Sequence, residues 1–372
     1  MRSSRARFEF VVMVMLLIVL SLTGQIARTV LWSHGWGDWE APWFSWATSI
    51  HRGVALMYAI PFAVKWLPVL LYAPPEAQAG PLRRALARGS TICFLGALVC
   101  TVLAHTVASI WFCLFLPLMA MSISLELYVW ISALQRAGMT LRHPIVWGVL
   151  GSTFATLWFL VPPSVLCIKL LLTDVLNIDE RALLTYGMET LTFSWWAAYA
   201  MTAPLLAGLA VSLVSHTTRH KHIMWWIALP MALSAFVPLF LGALMGTLGR
   251  GALIDTYATV AVRHGTILSV IGLSGLIVAL PQLSRASQAS LAFWVVGSTL
   301  AVCLSETWLG FNGMSLGEPD VQPQFEHMHR VAGVSHWALV AGWCVMLPLV
   351  WRGVRRGLKG HDPDMNRAGV FD

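Results

Sequence analysis

Four histidines and three arginines stand inside stretches of chain that are otherwise apolar: His51, His105, His264 and His336, with Arg28, Arg52 and Arg263. Arg52 directly follows His51, and Arg263 directly precedes His264. Ionisable residues in lipid are costly and default to a functional reading. Imidazole is largely neutral at pH 7, so it is buried more cheaply than a carboxylate, and it ligates iron, copper or zinc. The chain has no HExxH, no zinc-type Cys/His spacing and no Walker loop. Widely separated single histidines suit a haem between helices, which takes one axial ligand from each side. The arginines would then meet haem propionates through charge-assisted hydrogen bonds. The competing readings are plainer: each histidine is a hydrogen-bonded polar residue between helices, and each arginine snorkels to the nearby interface.

The elements that must position these residues follow from composition. Of 372 residues, 58% are hydrophobic and 11% charged, and the mean hydropathy is +0.71. A soluble domain cannot hide that much apolar surface, so the fold class is an all-α polytopic membrane bundle, read as one transmembrane domain over 1–372. Spans of roughly 20 apolar residues fall near 9–31, 44–72, 91–112, 114–135, 145–173, 190–214, 223–247, 257–282, 290–312 and 331–351. The third and fourth form one long apolar run, and a tight turn is expected near Trp111 to Pro117. The N-terminal apolar run shows no small-residue cleavage site, so it reads as a retained first helix rather than a signal peptide.

Ten crossings put both termini on one side. Sixteen of the 24 lysines and arginines fall on the ends and loops of that side, and only Arg181, Arg250 and Arg330 on the other. This asymmetry places the termini in the cytoplasm, and a bacterial inner membrane is the expected location. It also accounts for the net charge of +7 without nucleic acid as a partner. The loop WSHGWGDWEAPWFSW then reads as an outer aromatic belt. The six cysteines lie in apolar runs with no CxxC pair and read as buried thiols.

Depth gives the histidines a common meaning. Each lies about five to seven residues in from the outer end of its span, roughly 8–10 Å below the surface. Helices running in opposite directions thus deliver imidazoles to one layer. Lys65 and Lys169 sit near span ends and are expected to snorkel. Glu126, near the middle of the fourth span, reads either as a proton relay or as a protonated structural residue. His216, His220 and His222 lie in a short cytoplasmic loop, and the sequence gives them no role.

The stretch DTYATVAVRHGTILSV, Asp255 to Val270, resembles the tenth helix of the haem–copper oxidase subunit I family, the cytochrome c oxidase subunit I-like proteins. There Asp-Thr-Tyr is followed by Val-Ala and then His-Phe-His. Asp255, Thr256, Tyr257, Val260 and Ala261 match, the first His position is Val262, and the second is His264. In that family the first His is the proximal ligand of the high-spin haem and the second an axial ligand of the low-spin haem. SIHRGVALMYAIPFAVKWLPVLL resembles the second helix, whose His, here His51, is the other low-spin ligand. LSLTGQIARTVLW resembles the first, with Arg28 where an arginine contacts that haem. LSETWLGFNGMSLGEPD resembles the end of the eleventh helix and its loop, and FVPLFLGALMG the ninth.

The resemblance covers both ends of the chain and little of the middle, and the departures are specific. Copper in that family needs a His in a His-Pro-Glu-Val-Tyr run and an adjacent His-His pair. The sixth span, LTFSWWAAYAMTAPLLAGLAVSLV, has no His, and no His-His pair occurs anywhere. The paired arginines that follow the eleventh helix read Leu316-Gly317 here. The family core has twelve helices against about ten. The resemblance therefore implies one low-spin haem on His51 and His264, electron transfer, no copper, and other respiratory subunits or a cytochrome as partners. Two alternatives stand beside it. One is a working oxidase or nitric oxide reductase subunit whose second metal site draws on His105, His336, His327 and His329. The other is a transporter or assembly factor that keeps only the fold.

Overall fold

The computed structural model describes residues 4–34, 62, 65, 80–106, 111–136, 144–173, 256–314 and 323–358. Seven helices run through them: α1 (Ser4–His34), α2 (Pro81–Thr106), α3 (Trp111–Arg136), α4 (Pro144–Thr173), α5 (Tyr257–Ala279), α6 (Arg285–Phe311) and α7 (Glu326–Leu358), with a 3-10 turn at Leu280–Gln282 after α5. Among the described residues four helical stretches are long and apolar enough to cross a membrane: Phe8–Ile26, Cys113–Ser132, Ala286–Phe311 and Glu326–Arg356. Leu160–Thr173 and Ile267–Gln282 are shorter apolar helical stretches.

The described helices belong to two units. In the first, α2 to α4 pack together with Phe62 and Lys65. Both α2 and α4 open on a proline, whose missing N–H costs nothing at a first helical position. Helices α2 and α3 run antiparallel, with Gly89 against Leu125, Ser90 against Ser122 and Gly96 against Leu118. The expected turn does not fall over Trp111–Pro117, because α3 is already helical at Trp111 and Pro117 lies inside it. A proline in the second turn loses one backbone hydrogen bond without ending the helix. His105 is the penultimate residue of α2 as described, and residues 107–110 beyond it lie outside the described residues.

In the second unit, α5, α6 and α7 pack against one another, and α1 meets α5 and α7 through Ile18, Val11 and Gln25. Helix α5 starts at an N-cap, Thr256, whose hydroxyl accepts from Ala258 N–H at 3.3 Å. Helix α6 ends in a Schellman motif: Gly313 takes φ +88°, Gly313 N–H donates to Gly310 O at 3.1 Å, and Met314 N–H to Leu309 O at 3.0 Å. The two ends are tied, because Tyr257 N–H donates to Met314 O at 3.2 Å. Tyr257, Val260, Leu309, Met314, Phe325 and Ala332 close an apolar cluster over this junction.

Three contacts fix the antiparallel register of α5 and α6: Ala258 against Gly310, His264 against Glu306, and Gln288 donating to Leu280 O. Helix α7 runs parallel to α5, with Met346 over Gly275 and Gln282 donating to Leu349 O at 2.8 Å. On α1, Val11 meets Gly353 and Ile18 lies beside Gly275, so α1 is antiparallel to both. Of the six cysteines, five are buried, and Cys344 is exposed on the outer face of α7, against the expectation of six buried thiols.

Gly310 permits the closest approach in this unit. A Cβ there would overlap the backbone of Tyr257 and Ala258, which cannot turn aside as a side chain can. Gly310→Ala should therefore lower stability by about 1–3 kcal/mol in thermal or denaturant unfolding. Gly297→Ala, where no atom stands within 4 Å, should be neutral or slightly stabilising, because alanine favours the helix by about 1 kcal/mol. Equal behaviour of the two variants would contradict the packing described.

Candidate functional site

The register of α5, α6 and α7 brings three ionisable side chains to one level. His264 projects from α5, Glu306 from α6 and His336 from α7. Their exposures are 2%, 0% and 0%. A carboxylate removed from water costs several kcal/mol unless it is paired and hydrogen-bonded. Glu306 is met on both oxygens. Its Oε2 lies 2.7 Å from His264 Nδ1, and its Oε1 lies 3.2 Å from His336 Nε2. The two imidazole rings stand edge to face, with centroids 5.6 Å apart. Ligand-type atoms of all three residues fall within 4.8 Å of one another, the only such group among the described residues.

Helix α1 completes the cluster. Gln25, fully buried, places Oε1 2.8 Å from His336 Nδ1. One turn further along α1, the Thr29 hydroxyl donates to Gln25 backbone oxygen. Gln25 Nε2 and Ser21 Oγ, one turn apart on the same helix, are buried and have no hydrogen-bond partner among the described residues. Hydrogen counting follows from these contacts. A carboxylate only accepts, so Glu306 is satisfied when His264 donates from Nδ1. That hydrogen places the His264 lone pair on Nε2. The Gln25 amide meets His336 Nδ1: when its oxygen accepts from Nδ1, the Nε2 lone pair faces Glu306 Oε1, and with the amide turned its NH2 donates to Nδ1 and His336 donates from Nε2 to Glu306.

Two members of the expected histidine layer, His264 and His336, are thus brought together. The other expected site residues are not placed beside them. His51 and Arg52 lie outside the described residues. Arg28 and Arg263 lie on α1 and α5, but their side chains fall outside the described residues. His105, on α2, belongs to the other unit. His327 is exposed and His329 only half-buried, and neither joins the converging group.

Glu306 and Gln25 were not among the expected site residues, although the sequence carried a signal for both. Each lies about six residues from the outer end of its predicted span, the same depth as the histidines. A depth reading extended from histidine to every polar residue would have found them.

The first unit holds a different buried polar group. Lys65 Nζ lies 2.8 Å from Glu126 Oε2 and donates to Ser90 Oγ at 2.5 Å. Ser122 Oγ donates to Ser90 backbone oxygen at 2.8 Å. Lys65 and Glu126 are each 5% exposed. The expectation that Lys65 snorkels is therefore corrected: Glu126 supplies a counter-charge inside the bundle, which is nearer than the interface. Lys169, by contrast, is exposed near the end of α4. No protein-family model matches the chain, and no curated protein matches it.

The buried Lys65–Glu126 pair has a measurable signature. Lys65→Met or Glu126→Leu alone leaves one charge buried without its partner and should cost about 3–5 kcal/mol. The double variant removes both charges and should recover most of that loss. Stability measured for the four proteins of the cycle tests this. A double variant as unstable as the sum of the singles would contradict a direct pair.

Proposed function

We propose that the chain is a membrane-embedded haem protein that carries electrons through a bis-histidine low-spin haem on His264 and His51. The observation supporting it is the 2.7 Å contact of His264 Nδ1 with the buried Glu306 carboxylate. A metal-ligating histidine characteristically donates its other ring N–H to a carboxylate, which fixes the tautomer, orients the ring and raises its basicity. His264 therefore fits an axial ligand that binds iron through Nε2.

When bound, haem supplies a one-electron couple. The protein's residues do the remaining work. His264 ligates, and Glu306 holds its ring and keeps negative charge beside it. The apolar walls of α5 to α7 exclude water. Arg28, Arg52 and Arg263 are assigned to the propionates, following the resemblance to haem–copper oxidase subunit I. The reading includes ten spans, cytoplasmic termini and a bacterial inner membrane, all resting on the basic-residue asymmetry. Oxygen reduction is not expected, because Val262 cannot bind metal and the sixth span offers no His for copper.

The test is the visible spectrum of purified, reduced protein. A low-spin haem insensitive to carbon monoxide is expected, with most haem lost in His51→Ala and in His264→Ala. Glu306→Gln should keep haem but raise its reduction potential, because the ligand loses a neighbouring negative charge. A carbon monoxide-sensitive haem would favour an oxidase or nitric oxide reductase. Absence of haem would favour a transporter or assembly factor.

A further inference from the structure

We infer that His264, Glu306 and His336 form a site for a divalent first-row transition ion of the iron or zinc type, separate from any haem. This goes beyond the haem reading and does not depend on it. The haem reading uses His264 Nε2, whereas this site uses Nδ1; with both occupied the ring binds as an imidazolate, its Nδ1 proton having left to solvent as the ion takes its place beside Glu306.

The donor set is two imidazoles and one carboxylate from three helices, fully within the bundle. That mixture suits iron, cobalt or zinc. Magnesium and calcium ask for oxygen ligands, and copper(I) for sulfur. Cys303 lies one turn before Glu306 and is buried, but it is not in the converging group. An ion with ligands at about 2.0–2.2 Å in tetrahedral geometry needs its ligand atoms roughly 3.4 Å apart. The Glu306 contacts, 2.7 Å at Oε2 and 3.2 Å at Oε1, are shorter than this and the ligand atoms of the group lie within 4.8 Å of one another, so side-chain adjustments on the order of 1 Å would seat an ion.

Two further observations distinguish this arrangement from a closed hydrogen-bond network. The first is the outer partner of His336. Gln25 Oε1 lies 2.8 Å from Nδ1, and accepting its hydrogen turns the Nε2 lone pair toward Glu306. A ligating histidine is held in this way by its outer partner. The second is a pair of buried atoms on α1, Gln25 Nε2 and Ser21 Oγ, that have no hydrogen-bond partner among the described residues. Buried polar atoms without partners mark places where a water or an ion belongs. Three protein ligands leave a position for water or a small ligand, as catalytic rather than structural sites do.

The experiment uses the full chain in detergent, stripped with chelator and titrated with Co2+, with elemental analysis and visible absorption. One cobalt per chain is expected, with the d–d bands of an ion bound by nitrogen and oxygen. Glu306→Gln and His336→Asn should each lower bound cobalt at least tenfold. Gln25→Ala removes no ligand, only the outer partner of His336, and should weaken binding about 10–100-fold. This variant decides the matter if either ligand variant fails to fold. Wild-type protein that takes up no cobalt, or variants that bind it as wild type does, would overturn the inference. Haem measured on the same samples separates the two readings. Loss of haem in His51→Ala with cobalt uptake intact supports both readings, and cobalt uptake by a chain that never contains haem contradicts the haem reading alone.

Discussion

A single carboxylate in an apolar bundle sets the terms for the second unit. Glu306 is fully buried, and its charge is tolerable only if donors reach both oxygens. The donors come from helices on either side, His264 on α5 and His336 on α7. Helix α1 enters through Gln25, which fixes the ring of His336. Four helices are therefore bound to one level by a polar group that none could bury alone. The register of each follows from the requirement. His264 opposite Glu306 agrees with Ala258 opposite Gly310 at one end and with Gln288 reaching Leu280 at the other.

The two buried acids among the described residues, Glu126 and Glu306, are handled differently. Glu126 meets an ammonium directly, and Lys65 has a second acceptor in the Ser90 hydroxyl. That group is closed: its cation is a side chain and cannot leave. Glu306 meets imidazoles instead, and beyond them an amide oxygen. An imidazole, unlike an ammonium, can also offer a lone pair, and the three side chains together could hold a metal ion. The first arrangement holds helices together. The second also holds helices, and it leaves a place for something to bind.

Much of this was legible in the sequence. Apolar runs located the helices closely: 257–282 is filled by α5 and its 3-10 turn, and 145–173 by α4. Counting residues from the outer ends placed His264 and His336 in one layer, and their rings lie 5.6 Å apart. The count works because rise per residue is constant along a helix. For His105 the count depends on where two helices divide one apolar run, which hydropathy cannot locate. The count took in histidines alone and so left out Glu306; an acid in a span was weighed only at Glu126. The Lys65–Glu126 pair was out of reach for another reason. Depth is written in the sequence, but which helix stands beside which is not, and these residues lie 61 positions apart.

The central claim is that one carboxylate joins two imidazoles from different helices. Solid-state NMR on bilayer-embedded protein with 13C-labelled glutamate and 15N-labelled histidine measures this directly. The Glu306 carboxyl carbon should show short-range coupling to His264 Nδ1 and to His336 Nε2, and both couplings should vanish in Glu306→Ala. Coupling to neither ring, or a Glu306 carboxyl that exchanges with water as a surface acid does, would contradict the account.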